Sequence, residues 1–174
     1  MSRPADIAEM PGSNAAPSHE RKTIVIAVDN SQVCKKAVNF VKDNFPQGYK
    51  YLLLHVQTKT MPPCLGNADA AALAFDMEAA IDEEREVDTQ TFLLDIFKPQ
   101  AASGGAEVGT VMLRINGDGS SAVGAAICQF VEKHQPAALA MMKENKSGFT
   151  RFFVGSVTRY CAVHSHVPVI IVPE

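Results

Sequence analysis

The residues best placed for chemistry stand directly after apolar runs of the sequence. Asp29 follows the run at residues 23–28, and Gly155 and Ser156 open a segment with helical spacing. The carboxylate of Asp29 can accept hydrogen bonds from a ribose or a base. A helix that starts at Gly155 presents free N–H groups and the positive end of its dipole to a phosphate. Together they could hold the two ends of a nucleotide, although an Asp after a buried strand is often only a turn or cap residue.

Such residues need a scaffold that brings the ends of separate strands together. Short apolar runs, typical of strands covered on both faces, predict strands at 23–28, 51–56, 108–115, 138–142 and 167–172. Helical periodicity predicts four helices between them, the first with Ser31 as its N-cap and the last over residues 156–164. This alternation predicts an α/β domain with a mostly parallel sheet. Ligands of such sheets bind beyond the carboxyl ends of the strands.

The second predicted helix is the long one, over about residues 70–97. Its middle, AIDEEREVD, is strongly charged, and we expect it to be a solvated face. An apolar side is predicted to be buried, formed by Met77, Ala80, Ile81, Phe92 and Ile96. Residues 99–105 begin with a proline and hold two glycines, so we predict a loop there.

Length and composition bound the class of protein. The chain has 174 residues and a formal net charge of -3, which suits one domain and argues against a basic nucleic-acid binder. No apolar run approaches the roughly 20 residues needed to cross a bilayer. Residues 1–21 are predicted to be a flexible tail and residues 22–174 the domain. The four cysteines contain no CxxC pair, and with no export signal we expect a reducing, cytoplasmic setting.

Three stretches of the chain resemble the universal stress protein family: TIVIAVDNSQVCKKAV, LLLHV and GFTRFFVGSVTRYCAVHSHVPVIIV. The resemblance covers residues 22–174. It implies an adenine nucleotide alpha hydrolase-like fold, a doubly wound five-stranded parallel sheet of order 3-2-1-4-5 with helices on both faces. It also implies a homodimer formed along the last strand, residues 167–172, whose flat apolar edge would be hazardous if it were exposed.

The ATP-binding branch of that family carries Gly, two residues, Gly, nine residues, Gly, then Ser or Thr. Here the spacing is kept by Met142, Asn145, Gly155 and Ser156, and only Gly155 keeps the glycine. Asn145 is the milder change, since Asn tolerates left-handed backbone. The resemblance and the strand ends together give the following candidate binding residues: Asp29, Asn30, Ser31, Val56, Met142, Lys143, Asn145, Gly155, Ser156 and Val157.

Two functions stay open at this point. The first is an intracellular stress-response or regulatory dimer that binds ATP or AMP, with or without Mg. The second is an interaction or scaffold dimer whose cleft is blocked by Met142. We predict no catalytic residue, although slow ATP hydrolysis is compatible with the first function. We predict no metal site either, because His164 and His166 have no third ligand in view.

Overall fold

The computed structural model describes residues 21–59, 68–117, 119–143 and 155–173, and for residues 68–71 the backbone alone. The strands are β1 Lys22–Ala27, β2 Tyr49–Lys59, β3 Val108–Asn116, β4 Ala138–Met142 and β5 Val169–Val172. The α-helices are α1 Cys34–Asn44, α2 Ala68–Thr91, α3 Lys98–Ala102, α4 Ser120–His134 and α5 Ser156–His164. A π-helical segment, Phe92–Phe97, joins α2 to α3.

The strands form one parallel sheet of order β3-β2-β1-β4-β5, which confirms the predicted topology. Ala27, the last residue of β1, pairs with Leu54. β2 continues beyond that pair through residues 55–59, where only β3 lies beside it. The end of β2 therefore projects past the end of its neighbour and leaves room on the β1 side.

Residues of the strands alternate between two cores, one on each face of the sheet. Ile24, Ile26 and Leu53 pack with α1, the π-helical segment and α3. Val25 and Leu54 pack on the other face with α4 and α5. The helices therefore cover both faces, as the predicted doubly wound arrangement requires.

The prediction that the apolar side of the long helix is buried is wrong for most of the residues named. Met77 is 59% exposed, Ile81 39% and Ile96 38%, and Ala80 is exposed too, whereas Phe92 is buried. The side of α2 that faces the sheet includes charged residues of the segment that we predicted to be solvated. Glu86 makes an ion pair with Arg114 of β3. The sheet offers polar partners at that place, so the helix turns its polar side inward.

The predicted loop at residues 99–105 and the predicted cap at Ser31 also need correction. Residues 98–102 are helical, because the π-helical segment places Pro99 in the first turn of α3, where a missing N–H costs little. α1 begins only at Cys34, and no side chain caps it. Ser31 is instead held in a turn, since its carbonyl accepts the Cys34 N–H at 3.2 Å.

None of the helices in the described part of the chain is both long and apolar enough to cross a membrane.

Candidate functional site

Asp29 lies just past the end of β1, where its carboxylate closes a turn. The backbone N–H of Ser31 donates to Asp29 Oδ1 at 2.9 Å, and the Cys34 thiol donates to the same oxygen at 3.1 Å. The backbone N–H of Asp29 donates in return to Cys34 Sγ at 3.5 Å. Both bonds to the carboxylate use Oδ1, so Oδ2 is the oxygen that they leave for a ligand.

These contacts set the charge state of the pair. Burial raises the pKa of the Asp29 carboxyl, but hydrogen bonds from Ser31 and Cys34 outweigh that effect and hold the pKa below its usual value. Burial raises the pKa of the Cys34 thiol to about 11. At neutral pH the pair is a carboxylate and an intact thiol, and an intact thiol is a poor nucleophile. The arrangement therefore suits binding better than covalent catalysis.

A cavity of about 300 Å³ opens beside Asp29, at the carboxyl ends of β1, β2 and β4. We call it the β1–β4 cavity. α4 and α5 form its far wall. Most of its lining is apolar, and this part includes Val28, Val33, Val56, Val123, Ile127 and Val157. Asp29, Ser31, His55 and Thr158 add polar groups. The volume is at the small end of the range for ligand sites and suits a flat group such as a nucleobase.

Met142 is the last residue of β4 and lines this cavity while being only 7% exposed. Its carbonyl accepts a hydrogen bond from the Thr158 hydroxyl at 3.1 Å, which ties the end of β4 to the first turn of α5. The next residue, Lys143, donates its backbone N–H to the Val172 carbonyl of β5 at 2.8 Å. The Met142 side chain takes up room at the cavity wall that a glycine would leave open.

The first turns of α4 and α5 lie side by side next to this cavity. Their first residues are joined by a hydrogen bond of 2.5 Å from the Ser156 hydroxyl to Ser120 Oγ. Both helices follow a glycine, Gly119 and Gly155, so neither N-cap has a side chain to satisfy the first N–H groups. Gly119 has a φ of 98°, which favours glycine. Two positive helix ends therefore meet at one surface, and such ends attract anions.

The structure gathers part of the predicted binding set in one place. The predicted residues that line the β1–β4 cavity are Asp29, Ser31, Val56, Met142 and Val157. Gly155 and Ser156 lie at its edge, at the start of α5. Asn30 lines a different cavity, and Lys143 lies past the end of β4. Asn145 lies outside the described residues.

Sequence reasoning missed three residues of the site. The Cys34 thiol donates a hydrogen bond to Asp29, and the Thr158 hydroxyl donates one to the carbonyl at the end of β4. Ser120 accepts a hydrogen bond from Ser156. Cys34 and Thr158 occur at helical spacing, which indicates only that each belongs to a helix. Ser120 follows Asn116 and two glycines, in a stretch that indicates a turn. A signal existed only for Ser120, since a turn followed by a helix start can also bind an anion.

His55 is a partly buried histidine of β2. Its Nδ1 is 2.9 Å from the Val28 carbonyl, and its ring meets the Phe92 ring edge-on at 5.1 Å. Burial lowers the pKa of His55, although the Val28 bond and the Asp29 charge oppose that effect. The ring is therefore neutral at pH 7. Within the described ranges, no three His, Cys, Asp or Glu side chains form a group that could hold a metal ion.

The fold resembles several solved structures at low sequence identity. UspA, a universal stress protein from Lactobacillus plantarum, is 18% identical with a TM-score of 0.55, over 87% of this chain and 97% of that one. A universal stress protein family protein from Arabidopsis thaliana, with AMP bound, is 22% identical with a TM-score of 0.52, over 88% and 92%. The universal stress protein from Archaeoglobus fulgidus in complex with dAMP is 19% identical with a TM-score of 0.50, over 86% and 96%. Identities this low show a shared fold.

No curated protein sequence gives a significant match to this chain. The model of the universal stress protein family, in contrast, matches residues 20–173, nearly the whole chain. The match includes every described strand and helix, together with the turn at Asp29 and the start of α5. This chain therefore belongs to the universal stress protein family.

Proposed function

We propose that this protein binds an adenine nucleotide, AMP or ATP, in the β1–β4 cavity. The observation that carries the proposal is the position of that cavity. It lies at the carboxyl ends of β1, β2 and β4, between the carboxylate of Asp29 and the first turn of α5. In open parallel sheets this edge is where ligands bind. The AMP-bound and dAMP-bound relatives of the same fold support the choice of ligand.

Each part of the nucleotide has a partner of suitable chemistry. The base fits the apolar lining, where Val28, Val56 and Val157 offer flat contact surface. The ribose hydroxyls can donate to Oδ2 of Asp29, since Oδ1 already accepts from Ser31 and Cys34. The phosphate lies toward Ser156, where the starts of α4 and α5 combine their positive ends. ATP would bring Mg with it from solution.

The direct test is to look for the ligand in the purified protein. Mass spectrometry of the denatured protein should release AMP or ATP. Titration calorimetry of the stripped protein with AMP, ATP and ATP-Mg should then give a saturable heat. The proposal fails if no nucleotide is released and if neither heat nor a thermal shift is seen at concentrations on the order of 1 mM.

The buried Met142 favours one alternative: an interaction or scaffold dimer with a closed cleft. Met142 is 7% exposed and lies in the cavity wall, so it reduces the room for ribose and phosphate. Under this alternative the native protein binds no nucleotide and works through its partners. A Met142→Gly variant distinguishes the two functions, because only a blocked cleft gains binding where none existed.

The proposal includes a homodimer formed through β5. β5 is the end strand of the sheet, and its sequence is VIIV. An apolar edge strand of this kind invites pairing with another chain. Ile170 and Val172 pack with the core on the α1 side, so Ile171 lies on the opposite side of the strand. Ile171→Lys should yield a monomer by light scattering if β5 forms the interface, and a native dimer that persists would exclude this edge.

We also propose a cytoplasmic stress-response or regulatory role rather than an enzymatic one. The described cysteines, Cys34, Cys128 and Cys161, are unpaired and buried, which agrees with a reducing compartment. The cavity offers a carboxylate, an intact thiol and a neutral histidine, and within the described part of the chain none of these faces a partner that would activate it as a nucleophile. ATP turnover no faster than the background rate would agree with this role. Fast turnover that is lost in Asp29→Ala would contradict it.

A further inference from the structure

A second cavity, of about 330 Å³, adjoins the first at the end of β2, where His55 and Val56 line both. We call it the β2–α2 cavity. It exists because β2 runs on through residues 55–59 after β1 has ended. The last turns of α2 and the start of the π-helical segment close its other side, with Arg85, Asp88, Thr89 and Phe92 in the wall. The result is a pocket that lies next to the nucleotide site.

Strand alternation gives the two cavities different chemistry. Leu54 and Val56 pack on the α4 side of the sheet. His55 and Gln57 point to the other side, where they meet Phe92 and Asp82 of the helical wall. Gln57 and Thr58 line the β2–α2 cavity alone and Leu54 lines the β1–β4 cavity alone, so the β2–α2 cavity has the more polar floor.

Gln57 carries an unused hydrogen-bond acceptor beside this cavity. The residue is only 7% exposed. Its Nε2 donates to the Asp82 carbonyl at 3.4 Å, and that contact fixes the amide orientation, because a carbonyl can only accept. The other end of the amide, Oε1, is buried and has no hydrogen-bond partner among the described residues. Buried polar atoms normally have a partner, so an unpaired one points to a missing donor.

His55 offers a second acceptor in the same cavity. Its Nδ1 lies 2.9 Å from the Val28 carbonyl and must carry the proton of that bond. In the neutral ring Nε2 is then an acceptor. Phe92, which meets the His55 ring edge-on, is also the first residue of the π-helical segment. π-helical turns are rare and occur often at functional sites.

We propose that the β2–α2 cavity is a second binding site, for a small planar molecule that carries a primary amide. The N–H donors of the amide satisfy Gln57 Oε1 and His55 Nε2, and its ring lies against the Phe92 and His55 side chains. Asp88, in the wall of the cavity, adds one acceptor for a further polar group. This site takes a different ligand from the nucleotide and does not depend on nucleotide binding.

Two probes with the same ring test the proposal on the unaltered protein. Nicotinamide carries the primary amide, and methyl nicotinate replaces it with an ester that has no N–H. In nuclear magnetic resonance titrations of the labelled full chain, nicotinamide should shift His55, Gln57 and Thr89 signals saturably, with a Kd on the order of 1 mM. Methyl nicotinate should bind at least about fivefold more weakly. Equal binding of the two probes overturns the proposal, as does the absence of saturable shifts at these residues.

A pair of variants then tests the role of the amide acceptor. Gln57→Leu keeps the size of the side chain and removes the acceptor, so nicotinamide should bind at least about fivefold more weakly while methyl nicotinate changes little. Gln90→Leu is the matched control, because Gln90 is an exposed residue of α2 that bonds to Glu86. Equal loss in both variants would contradict the proposal. If Gln57→Leu does not fold, the probe pair on the native chain still decides the question.

Discussion

Two cavities of similar size and different character meet at the end of β2, where His55 and Val56 line both. The β1–β4 cavity has an apolar lining, one carboxylate and two helix starts at its edge. The β2–α2 cavity is lined mostly by polar residues, among them Gln57, whose buried amide oxygen has no partner in the described part of the chain. The difference arises from one strand, because neighbouring residues of β2 face opposite sides of the sheet. One edge of the sheet can therefore present an apolar site and a polar site next to each other.

The largest expected effect comes from forcing apart α4 and α5, the two helices that contribute Val123, Ile127, Val157 and Thr158 to the β1–β4 cavity. A Cβ on Gly124 of α4 would lie 2.6 Å from Cδ1 and 2.9 Å from Cβ of Tyr160 in α5. Because the Tyr160 stem cannot move aside easily, Gly124→Val should lower the free energy of unfolding by about 3 kcal/mol. Urea titration followed by circular dichroism measures this change.

Gly104→Ala is the control for that variant, since a Cβ there meets nothing within 4 Å. It should change the free energy of unfolding by less than about 0.5 kcal/mol. In Gly124→Val protein that remains folded, nucleotide binding should be lost. The resonance shifts that nicotinamide causes at the β2–α2 cavity should persist. Simultaneous loss of both would show that the two cavities are not independent.

The next largest effect concerns the carboxylate of Asp29. Asp29→Ala removes the acceptor for the ribose and should weaken AMP binding about tenfold or more, as expected for a hydrogen bond to a charged group. Asp29→Asn keeps an acceptor oxygen, so its affinity for AMP should fall less than that of Asp29→Ala. Calorimetry gives both affinities, and the exposed Asp76→Ala of α2 serves as the control. Unchanged AMP affinity in Asp29→Ala would remove Asp29 from the site.

A smaller effect on nucleotide binding is expected at the end of β4. Met142→Gly frees room in the wall of the β1–β4 cavity and should raise the AMP affinity about fivefold. Nicotinamide binding should stay unchanged, because Met142 does not line the other cavity. Loss of the buried Met142 side chain also destabilises the fold by about 2–5 kcal/mol, so affinity is compared below the melting range. An affinity that falls instead would show that Met142 contacts the ligand.

The sequence predicted the strands because local patterns define them, whereas their order in the sheet was implied by the family resemblance. β4 and α5 begin and end where predicted, since ALAMM is bounded by Pro136 and Lys143 and α5 follows Gly155. Asp29, Val56 and Val157 line the cavity because strand ends of a parallel sheet meet at one edge. These features need only periodicity and turn residues.

The polar cavity could not be predicted in the same way. Its floor depends on how far β2 runs beyond β1, and periodicity gave the end of β2 as residue 56 instead of Lys59. Its wall depends on which side of α2 faces the sheet, and the apolar pattern indicated the wrong side. Arg114 of β3 pairs with the Glu86 side chain of α2, and Gln57 of β2 donates to the main-chain carbonyl of Asp82. That choice is made by tertiary contacts, which spacing along one chain does not reveal.

The smallest expected effect is a pH dependence that involves both cavities, because His55 lines each of them. Burial lowers the pKa of His55 in the folded protein, and Asp29, Arg85 and Asp88 are the charged groups that share its cavities. The unfolded chain then binds more protons than the folded one below about pH 6.5, so stability should fall as the pH drops through that region. Asp29, whose pKa is lowered, affects stability only below about pH 4.

Urea titrations between about pH 5 and pH 7.5 measure the contribution of His55 to the pH dependence of stability, because Asp29 contributes only at lower pH. His55→Gln should flatten the slope of stability against pH, because glutamine can still donate to the Val28 carbonyl but cannot titrate. The exposed His166→Gln is the matched control and should keep the native slope. If His55 connects the two cavities, the affinities for adenosine and for nicotinamide should both fall toward pH 5 in the native protein and stay level in His55→Gln. Adenosine replaces AMP in this comparison because the AMP phosphate itself changes its charge near about pH 6. A fall in only one affinity would assign the ring to that cavity alone.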